Sequence, residues 1–351
     1  MTPRFLIYGA NGYTGALAAR EAARRGLACV LAGRDESKVA PLAAELGGEH
    51  RAFGLDDAGQ LDAGLSDVAA VLHCAGPFSH TSRPMADACL RTRTHYLDIT
   101  GEIAVFESLA ARDREARDAG VMLLPGVGFD VAPSDCLAAH LKRRLPTATR
   151  LTLAIGGAGR LSRGTLTTMV ENLHRGGMVR RGGRLTPVPS AWKTRAVDFG
   201  RGPVATTTIP WGDVSTAFHS TGIPDVEVYA AVPAAARLLM KAARPFKGLL
   251  STPAVQSFLK RRIRKLPPGP TDEERRRGRS FVWGEVGDEA GARRAARLRG
   301  PEGYALTVLT ALAAVERVLA GAHPPGFQTP SRAYGPDFIL DIEGVTREDL
   351  D

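Results

Sequence analysis

Phe5-Leu6-Ile7-Tyr8-Gly9-Ala10-Asn11-Gly12-Tyr13-Thr14-Gly15 decides the fold of the first third of the chain. The four apolar residues predict a buried strand, and the glycines that follow open a helix predicted from about Gly12 to Arg25. In a dinucleotide site, backbone N–H groups and a helix N-terminus bind the pyrophosphate. The spacing is G-x-x-G-x-x-G, whose first turn is one residue longer than that of G-x-G-x-x-G. It predicts a nucleotide site at Gly9, Asn11, Gly12, Tyr13, Thr14 and Gly15. The alternative is a glycine turn that binds no cofactor.

Short apolar runs alternate with helical patterns from this stretch to Val121–Leu124, which is typical of βαβ units and a parallel sheet. From about Leu151 the apolar runs lengthen, as in Ser280-Phe281-Val282-Trp283-Gly284-Glu285-Val286, and helical patterns become fewer. We therefore predict an α/β fold, with a Rossmann-type doubly wound parallel sheet of six strands and an α+β domain containing a mainly antiparallel sheet. Ligands of a doubly wound sheet bind beyond the carboxyl ends of its strands.

The composition is that of a globular protein. The chain has 351 residues, of which 44% are hydrophobic and 24% charged, which is enough for two domains with a core each. Its four cysteines stand singly and its histidines lack metal-ligand spacing, so neither a disulfide framework nor a zinc site is indicated. No apolar run reaches 18 residues, and the N-terminus lacks a signal-peptide pattern. We expect a cytoplasmic protein without a bound metal.

The net charge of +9 is concentrated in one segment. Residues 231–280 contain 13 Lys and Arg against three acids, whereas the rest of the chain has 33 basic and 34 acidic residues. A local charge of this kind argues against nucleic acid as a partner. Two hypotheses stay open for residues 235–279, which mix Leu and Phe with Arg and Lys. One is a surface for anionic membrane lipid, an acidic carrier or acyl-CoA; the other is a solvated lid ending in a mobile loop at Pro267–Arg279.

The second predicted strand ends at Gly33 and is followed by Arg34, where NAD enzymes place an acidic residue on the ribose. A guanidinium pairs bidentately with a 2′-phosphate, which a carboxylate would repel. The pattern favours NADP as the cofactor, with Gly33 and Arg34 in its site. In the alternative, Arg34 is solvated and Asp35 contacts the ribose. Asp56, after the third strand, is a candidate for binding the adenine amine, and an Asx turn is the competing interpretation.

Four motifs follow one another along the first third of the chain: Gly9 to Gly15, Ala32-Gly33-Arg34, His73-Cys74-Ala75-Gly76-Pro77-Phe78 and His95-Tyr96-Leu97-Asp98-Ile99-Thr100-Gly101-Glu102. Together they resemble the saccharopine dehydrogenase-like NADP-binding family, which includes saccharopine reductases and bacterial trans-acting enoyl reductases, over about residues 4–135. The resemblance implies hydride transfer between NADP(H) and a C=N or C=C bond of a small or acyl substrate. It also implies three segments: an NADP-binding domain at 1–135, an inserted substrate or dimerisation domain at 136–302, and a C-terminal helix and tail at 303–351 that return to the first domain.

The same resemblance places the nicotinamide over three loops, at residues 74–78, 99–102 and 125–130. In the first loop it implies that the backbone closes on the cofactor and that an aromatic ring lies against the nicotinamide and the substrate. The residues concerned are Cys74, Ala75, Gly76 and Pro77 for the cofactor and Phe78 for the substrate. The competing interpretation of Gly76 and Pro77 is a plain turn.

Hydride transfer usually needs one proton donor or acceptor beside the nicotinamide. Tyr96 and Asp98 alternate on one face of the fifth predicted strand, so they are our candidate catalytic residues. A buried structural Tyr and a helix-capping Asp are the alternatives. The candidates for substrate binding are Glu102 and Asp130, each with a helix-entry role as its alternative, together with Phe129 and Arg163. Arg163, in the second domain, is either an anion site at a helix N-terminus or a solvated loop arginine.

Two common chemistries are not encoded. No tyrosine has a lysine four residues later, so the Tyr-x-x-x-Lys mechanism of short-chain dehydrogenases is excluded, and no G-x-S-x-G motif indicates a hydrolase. We predict an NADP-dependent reductase. The alternative is a non-catalytic NADP-sensing module. A homodimer formed through the antiparallel sheet of the second domain is a further hypothesis.

Overall fold

The computed structural model of the chain describes residues 3–157 and 159–350. Contacts within the chain divide these residues into two compact units. The first unit runs to Ala132 and includes Tyr304–Tyr334, and the second comprises Pro133–Gly303 and the chain from Gly335 onward. Most of the second unit thus lies between the two sequence segments of the first, and its last segment follows them.

The first unit opens with six strands that alternate with helices. The strands are β1 (Phe5–Tyr8), β2 (Cys29–Gly33), β3 (Glu49–Ala52), β4 (Ala70–His73), β5 (His95–Asp98) and β6 (Met122–Leu124). The helices are α1 (Tyr13–Arg24), α2 (Glu36–Leu46), α3 (Ala58–Leu65), α4 (Phe78–Thr92), α5 (Ile103–Ala110) and α6 (Asp113–Ala119).

These six strands are parallel and lie in the order β3-β2-β1-β4-β5-β6. This is the strand order of the doubly wound dinucleotide-binding fold, so the predicted Rossmann-type sheet is confirmed. Leu6, Val71 and Leu123 from three strands pack in one core with Leu61 of α3 and Met85 of α4. Burial of each such side chain stabilises the sheet by about 1.5–3 kcal/mol, which fixes the strand ends that carry the site.

The second unit begins with a helix and continues mainly with strands. Its helices are α7 (Ala132–Arg144), α8 (Arg163–Asn172), α9 (Asp213–Thr221), α10 (Ala234–Ala242), α11 (Lys247–Leu250), α12 (Pro253–Ile263) and α13 (Asp272–Arg277), and the first residue of α7 still belongs to the first unit. Its strands are β7 (Arg150–Gly156), β8 (Gly177–Arg181), β9 (Arg184–Val188), β10 (Thr194–Asp198), β11 (Pro203–Thr208), β12 (Asp225–Ala231), β13 (Arg279–Gly287) and β14 (Arg293–Pro301).

The second sheet has the order β10-β11-β12-β7-β13-β14, and β8 pairs with both β12 and β9. The β12–β7 pairing is parallel and the other pairings are antiparallel. The predicted α+β domain with a mainly antiparallel sheet is therefore confirmed.

The C-terminal part of the chain divides between the two units. Helix α14 (Gly303–Leu319), strand β15 (Gly326–Phe327) and helix α15 (Pro330–Tyr334) lie in the first unit, where β15 adds a seventh parallel strand beside β6. Strand β16 (Thr346–Leu350) instead pairs antiparallel with β14 in the second sheet. The prediction that the whole of 303–351 returns to the first domain is therefore wrong for the tail after Tyr334, because its backbone hydrogen bonds are made to β14.

Two further segments differ from expectation. The helical pattern at 103–119 forms two helices, α5 and α6, because the chain leaves helical geometry at Arg112, whose side chain pairs with Asp87 at 2.6 Å and Glu115 at 2.7 Å. The loop expected at Pro267–Arg279 contains helix α13, which Thr271 and Glu274 close with a reciprocal capping box. No helix of the described chain is long and apolar enough to cross a bilayer.

Candidate functional site

The turn between β1 and α1 depends on close backbone contacts that glycine permits. Gly9 has φ +83°, and a Cβ on it would lie 2.9 Å from Ala75. A Cβ on Gly15 would lie 2.2 Å from the carbonyl oxygen of Gly9. The N–H groups of Gly9 and Ala10 donate to the carbonyl oxygen of Ala32 at 2.8 and 3.1 Å. The turn is therefore held between the ends of β2 and β4.

Gly12 leaves the N-terminus of α1 accessible to a ligand. It is the N-cap residue, with an extended backbone (φ −73°, ψ 165°), and within the described residues no side chain caps the helix and no acid lies in its first turn. A Cβ on Gly12 would meet only the carbonyl oxygen of Gly9, at 3.2 Å. Unpaired N–H groups and the helix dipole attract an anion to such an end. These residues fit the pyrophosphate of a dinucleotide.

The other residues predicted in this turn surround the same helix end. Asn11 is exposed, and its Oδ1 would lie 3.1 Å from a Cβ on Gly33. Tyr13 and Thr14 are half-buried in the first turn of α1. The Tyr13 ring packs edge-on against Tyr304 of α14, with the ring centroids 5.1 Å apart. The structure therefore brings Asn11 and Gly33 together and fixes the Tyr13 ring through α14.

The end of β2 presents one unpaired cation. Arg34 is exposed and makes no hydrogen bond or ion pair with any described residue. Lys38, in contrast, pairs with Asp35 at 2.6 Å, and Asp35 also accepts a 2.6 Å hydrogen bond from Ser37. These two contacts, that of Lys38 first, lower the pKa of Asp35. The Asp35 carboxylate is thus engaged by its own helix, whereas the Arg34 guanidinium is available to a ligand.

Asp56 lies on the same side of the sheet. Burial raises the pKa of Tyr8 to about 12; the charge of Arg34 opposes this shift and that of Asp56 reinforces it. The Tyr8 hydroxyl donates to the carbonyl oxygen of Phe53 at 2.9 Å, in the buried region between β1 and the end of β3. Both charged side chains therefore lie near the carboxyl ends of these strands, where an adenosine would bind in this fold.

The loop after β4 packs on the glycine turn through Ala75. Cys74, Ala75 and Pro77 are half-buried, Gly76 is exposed, and Phe78 is buried at the start of α4. The Thr81 hydroxyl donates to the carbonyl oxygen of Ala75 at 2.7 Å. This contact fixes the part of the loop that borders the nucleotide turn.

His73 supports this loop from below. Its Nε2 lies 3.0 Å from the Thr81 hydroxyl, whose own proton is given to Ala75, so Nε2 is the protonated nitrogen. Its ring is surrounded by Tyr8, Phe78 and Tyr96, with ring centroids 5.5–6.2 Å away. Burial among these rings lowers the pKa of His73 to about 3, so the imidazole is neutral.

Tyr96 and Asp98 lie on one face of β5, as predicted, and bind each other. The Tyr96 hydroxyl donates to Asp98 Oδ2 at 2.6 Å, and both residues are fully buried. Asp98 Oδ1 accepts from the backbone N–H groups of Thr100 at 3.0 Å and Gly126 at 2.8 Å. Burial raises the pKa of Asp98 to about 6 against these three hydrogen bonds, which lower it. The pair ties the loop after β5 to the loop after β6, and its catalytic role stays a prediction.

Glu102 caps a helix other than the one it precedes. Its Oε1 accepts from the N–H of Phe78 at 2.7 Å and its Oε2 from the N–H of Ser79 at 3.2 Å, at the N-terminus of α4. A carboxylate at this position also complements the helix dipole. Glu102 therefore ties the loop after β5 to the loop after β4.

Asp130 differs from the other two carboxylates. It is half-buried in the loop after β6, beside Gly101, on which a Cβ would lie 2.9 Å from Asp130 Oδ2. It has no hydrogen-bond or ion-pair partner within the described chain, and burial raises its pKa to about 6. Its neighbour Phe129 is buried, and the Phe129 N–H donates to the Thr307 hydroxyl at 3.0 Å. The backbone of the loop is thus held by Thr307, whereas the Asp130 carboxyl has no partner among the described residues, and its predicted role in substrate binding stays a prediction.

Arg163 lies in the second unit at the first position of α8. Its Nε donates to the carbonyl oxygen of Leu266 at 2.5 Å, and its N–H donates to that of Pro268 at 3.0 Å. The Ser162 hydroxyl caps the same helix by accepting from the N–H of Thr165 at 3.2 Å. The helix end chosen as an anion site thus holds a neighbouring chain segment, and the role of Arg163 in substrate binding stays a prediction.

Sequence reasoning missed three supporting residues. Thr307 and Tyr304 belong to α14, which contacts residues more than 170 positions earlier, and no local pattern indicates that pairing. Thr81 was overlooked although it follows Gly76-Pro77 within the first turn of α4. A hydroxyl four residues after a proline that precedes a helix was the available signal for Thr81.

Comparison with known proteins identifies the first unit. Residues 5–124 match the model of the Saccharopine dehydrogenase NADP binding domain. A trans-acting enoyl reductase of Mycobacterium tuberculosis is 32% identical over 147 residues, which are 40% of this chain and 35% of that protein. The chain therefore matches about a third of the length of this relative. The resemblance predicted from the four motifs is confirmed, and with it NADP as the cofactor of this domain.

Solved structures extend the likeness in fold to the whole chain. Saccharopine dehydrogenase from Saccharomyces cerevisiae superposes with a TM-score of 0.69 at 13% identity, covering 99% of this chain and 100% of that one. A homospermidine synthase from Legionella pneumophila in complex with NAD superposes with a TM-score of 0.65 at 10% identity, covering 100% and 92%. At such identities the likeness establishes the fold alone. The relatives and neighbours described are oxidoreductases or bind a nicotinamide nucleotide.

Proposed function

We propose that this chain is an NADPH-dependent reductase that passes hydride to a C=C bond of an acyl substrate. The observation that carries the proposal is the accessible N-terminus of α1 at Gly12, together with the exposed and unpaired Arg34 at the end of β2. The first suits a pyrophosphate and the second a 2′-phosphate. The engagement of Asp35 by Lys38 and Ser37 supports NADPH over NADH, because no free carboxylate remains at this strand end to bind a ribose diol.

The substrate class rests on the sequence relatives. The trans-acting enoyl reductases are named for reduction of an enoyl group, and they match 40% of this chain at 32% identity. We therefore place an α,β-unsaturated acyl group first and a C=N substrate second. We assign the binding surface for this substrate to the second unit. The proposal also includes an acyl carrier that presents the substrate. A cytoplasmic, reducing environment suits the four free cysteines.

Within this proposal, the residues at the carboxyl edge of the parallel sheet have different roles. Bound NADPH supplies the hydride. Asp98 and Glu102 fix the positions of the loops after β4, β5 and β6 by accepting hydrogen bonds from backbone N–H groups. Asp130 supplies the complementary proton, because its carboxyl is free of partners and its raised pKa keeps a larger protonated fraction near neutral pH than an ordinary aspartate has. Asp98 and Tyr96, the catalytic residues predicted first, act here as positioning residues.

The test is a substrate panel with the full chain. NADPH affinity is measured first by protein fluorescence, and NADPH oxidation is then followed at 340 nm with enoyl thioesters, cyclic imines and ketones of matched chain length. The proposal expects turnover with the enoyl thioesters and at least tenfold less with the others. Turnover only with imines would mean that the chain reduces C=N bonds instead of C=C bonds. Tight NADPH binding with no turnover on any carrier-bound or free substrate would instead favour the NADP-sensing module.

A further inference from the structure

The second unit carries a surface on which charge and exposed apolar side chains coincide. Residues 234–266, which contain α10, α11 and α12, include nine Lys and Arg and no acid, so the remaining chain has 37 basic and 37 acidic residues. The net charge of the whole protein thus resides in 33 residues. We call these residues, with the neighbouring part of α8, the basic apolar surface.

Exposed hydrophobic side chains are concentrated in the same place. Eleven large hydrophobic residues are exposed in the described chain, and six of them lie in 234–266. Leu238 and Leu239 are 69% and 70% exposed, and Phe246, Leu249 and Phe258 are each more than half exposed. Two more, Met169 and Leu173, lie beside this segment, at α8 and just after it. Apolar side chains clustered in this way mark a contact surface, whereas scattered ones need no explanation.

The surface is folded onto the second unit. The Arg244 guanidinium donates to the carbonyl oxygens of Ser190 and Ala191 at 2.6–3.0 Å. Lys260 pairs with Glu171 of α8 at 2.5 Å. Contacts of this kind account for part of the basic charge. The side chains of Lys241, Lys247, Arg261, Arg264 and Lys265 make no hydrogen bond or ion pair with any residue that the structure describes, so their charges are free for a partner.

Two hollows on this surface bring hydrocarbon and cations together. A cavity of about 650 Å³ lies beside α8 and α12. It is lined mainly by apolar side chains, among them Leu166, Met169, Leu173, Leu259 and Ile263. Arg262 and Lys265 also line it. A smaller hollow of about 280 Å³ adjoins these two cations and adds Phe258 and Arg261. The first hollow fits hydrocarbon, and the second fits an anionic group.

We propose that the basic apolar surface binds an anionic phospholipid bilayer, with headgroup phosphates on Arg261, Arg262 and Lys265 and hydrocarbon against the exposed leucines and phenylalanines. An acidic protein would use the cations and leave most of the exposed apolar side chains in water. A lipid surface accepts both kinds of side chain, because its phosphate layer is anionic and its interior apolar. This inference is independent of the nucleotide site.

The test is sedimentation of the full-length protein with phosphatidylcholine vesicles and with vesicles of phosphatidylcholine and phosphatidylglycerol in a 7:3 ratio. We expect at least tenfold stronger partitioning onto the anionic vesicles, most of it lost when salt is raised from 50 to 500 mM. Leu238→Ser/Leu239→Ser, which leaves the charge unchanged, and Arg261→Glu/Lys265→Glu should each weaken partitioning at least tenfold. NADPH affinity should stay unchanged in both variants.

Matched variants separate this surface from general charge and hydrophobicity. Arg114→Glu/Arg184→Glu makes the same change in net charge at exposed positions elsewhere, and Leu340→Ser removes an exposed leucine outside the surface. Both should bind vesicles within about twofold of the unmodified protein, and circular dichroism checks that every variant is folded. Absence of vesicle binding by the unmodified protein, or equal losses in the control variants, would overturn the proposal. Retention on an acyl carrier protein column without vesicle binding would instead assign the surface to an acidic protein.

Discussion

The glycine turn at residues 9–15 and the three carboxylates Asp98, Glu102 and Asp130 lie at the same edge of one parallel sheet, but they are built from contacts of different range. The turn is closed by Gly9 and Gly15, six positions apart. Glu102 instead binds an N–H 24 positions away, and Asp98 binds one 28 positions away. The shape of the nucleotide turn therefore depends on glycines that are close in sequence, although β2 also holds the turn through Ala32. The loops after β4, β5 and β6 are instead joined by carboxylate side chains that bind remote N–H groups.

The difference has a chemical consequence. A local turn offers backbone N–H groups to whatever anion arrives, so its specificity must come from a side chain such as Arg34. Among the carboxylates, those with remote partners are committed to holding loops. Asp130 has no such partner within the described residues, and it is the carboxyl that we propose as the proton donor.

The largest effect is expected at Gly12. Gly12→Val places a branched side chain where the pyrophosphate must approach, while its Cβ meets the protein only at the carbonyl oxygen of Gly9. Affinity for NADPH and NADH should both fall at least 100-fold in a fluorescence titration, or about 3 kcal/mol. Gly48→Val is the matched control, because a Cβ on Gly48 would meet only the carbonyl oxygen of Cys29, at 4.0 Å, and Gly48 lies in the same unit. Retained affinity in a folded Gly12→Val variant would remove the proposed site.

Replacing the proton donor should lower turnover without affecting the cofactor. Asp130→Asn is expected to reduce the rate about 100-fold at unchanged NADPH affinity. The unmodified enzyme should lose rate as pH rises through about 6, since the protonated carboxyl is the active form, and the variant should lose this dependence. If Asp98→Asn loses a similar amount of rate and shows the same pH profile as Asp130→Asn, Asp98 would be the catalytic residue instead.

Stability gives an independent readout of the same group. The folded-state pKa of Asp130 is raised, so the native state holds this proton more tightly than the unfolded state does. The ionisation of Asp130 therefore lowers the free energy of unfolding progressively as pH rises from about 4 to about 6, and this loss of stability persists at higher pH. Asp130→Asn should be more stable than the unmodified protein at pH 8, by about 1–2 kcal/mol, and equal to it at pH 4. Thermal unfolding at the two pH values measures this difference, and a variant that is destabilised at pH 8 would mean that Asp130 has a structural partner.

Cofactor choice should depend on Arg34. Arg34→Ala is expected to reduce the preference for NADPH over NADH by about 2 kcal/mol, or about 30-fold, the size of one or two charge-assisted hydrogen bonds. Arg91→Ala serves as the comparison, since Arg91 is an exposed arginine of the same unit that is already paired with Asp62. Its preference should change by less than about threefold. An Arg34→Ala variant with an unchanged ratio of dissociation constants would show that another group binds the 2′-phosphate.

A smaller effect is expected at the buried pair. Tyr96→Phe leaves Asp98 Oδ2 without its donor in a fully buried place and should destabilise the protein by about 1.5–3 kcal/mol. Tyr8→Phe removes a hydroxyl that donates to a neutral carbonyl, at 2.9 Å, and should cost about half as much. Urea unfolding of both variants gives the comparison. Equal losses of unfolding free energy in the two variants would mean that the charge of Asp98 does not strengthen its hydrogen bond.

What could be predicted from the sequence follows the same division. The strands β1 to β6 and the glycine turn could be predicted because their patterns are complete within a few residues. The start of α4 at Phe78 could not, because its cap is the side chain of Glu102, far along the chain. The support of Phe129 by Thr307 joins positions 178 residues apart, and the pairing of β16 with β14 likewise depends on the folded second sheet. Local patterns also cannot distinguish a free carboxylate such as Asp130 from an engaged one such as Asp98.

Isotope transfer tests the central claim of hydride transfer most directly. The full chain is incubated with NADPH that carries deuterium at both C4 positions of the nicotinamide and with the enoyl thioester that gives turnover, and the product is examined by mass spectrometry. We predict one deuterium per product molecule on one of the two newly saturated carbons, equal in amount to the NADP⁺ formed, and about 100-fold less in the same time with Asp130→Asn. Bound NADPH with no deuterium in any acyl product would contradict it.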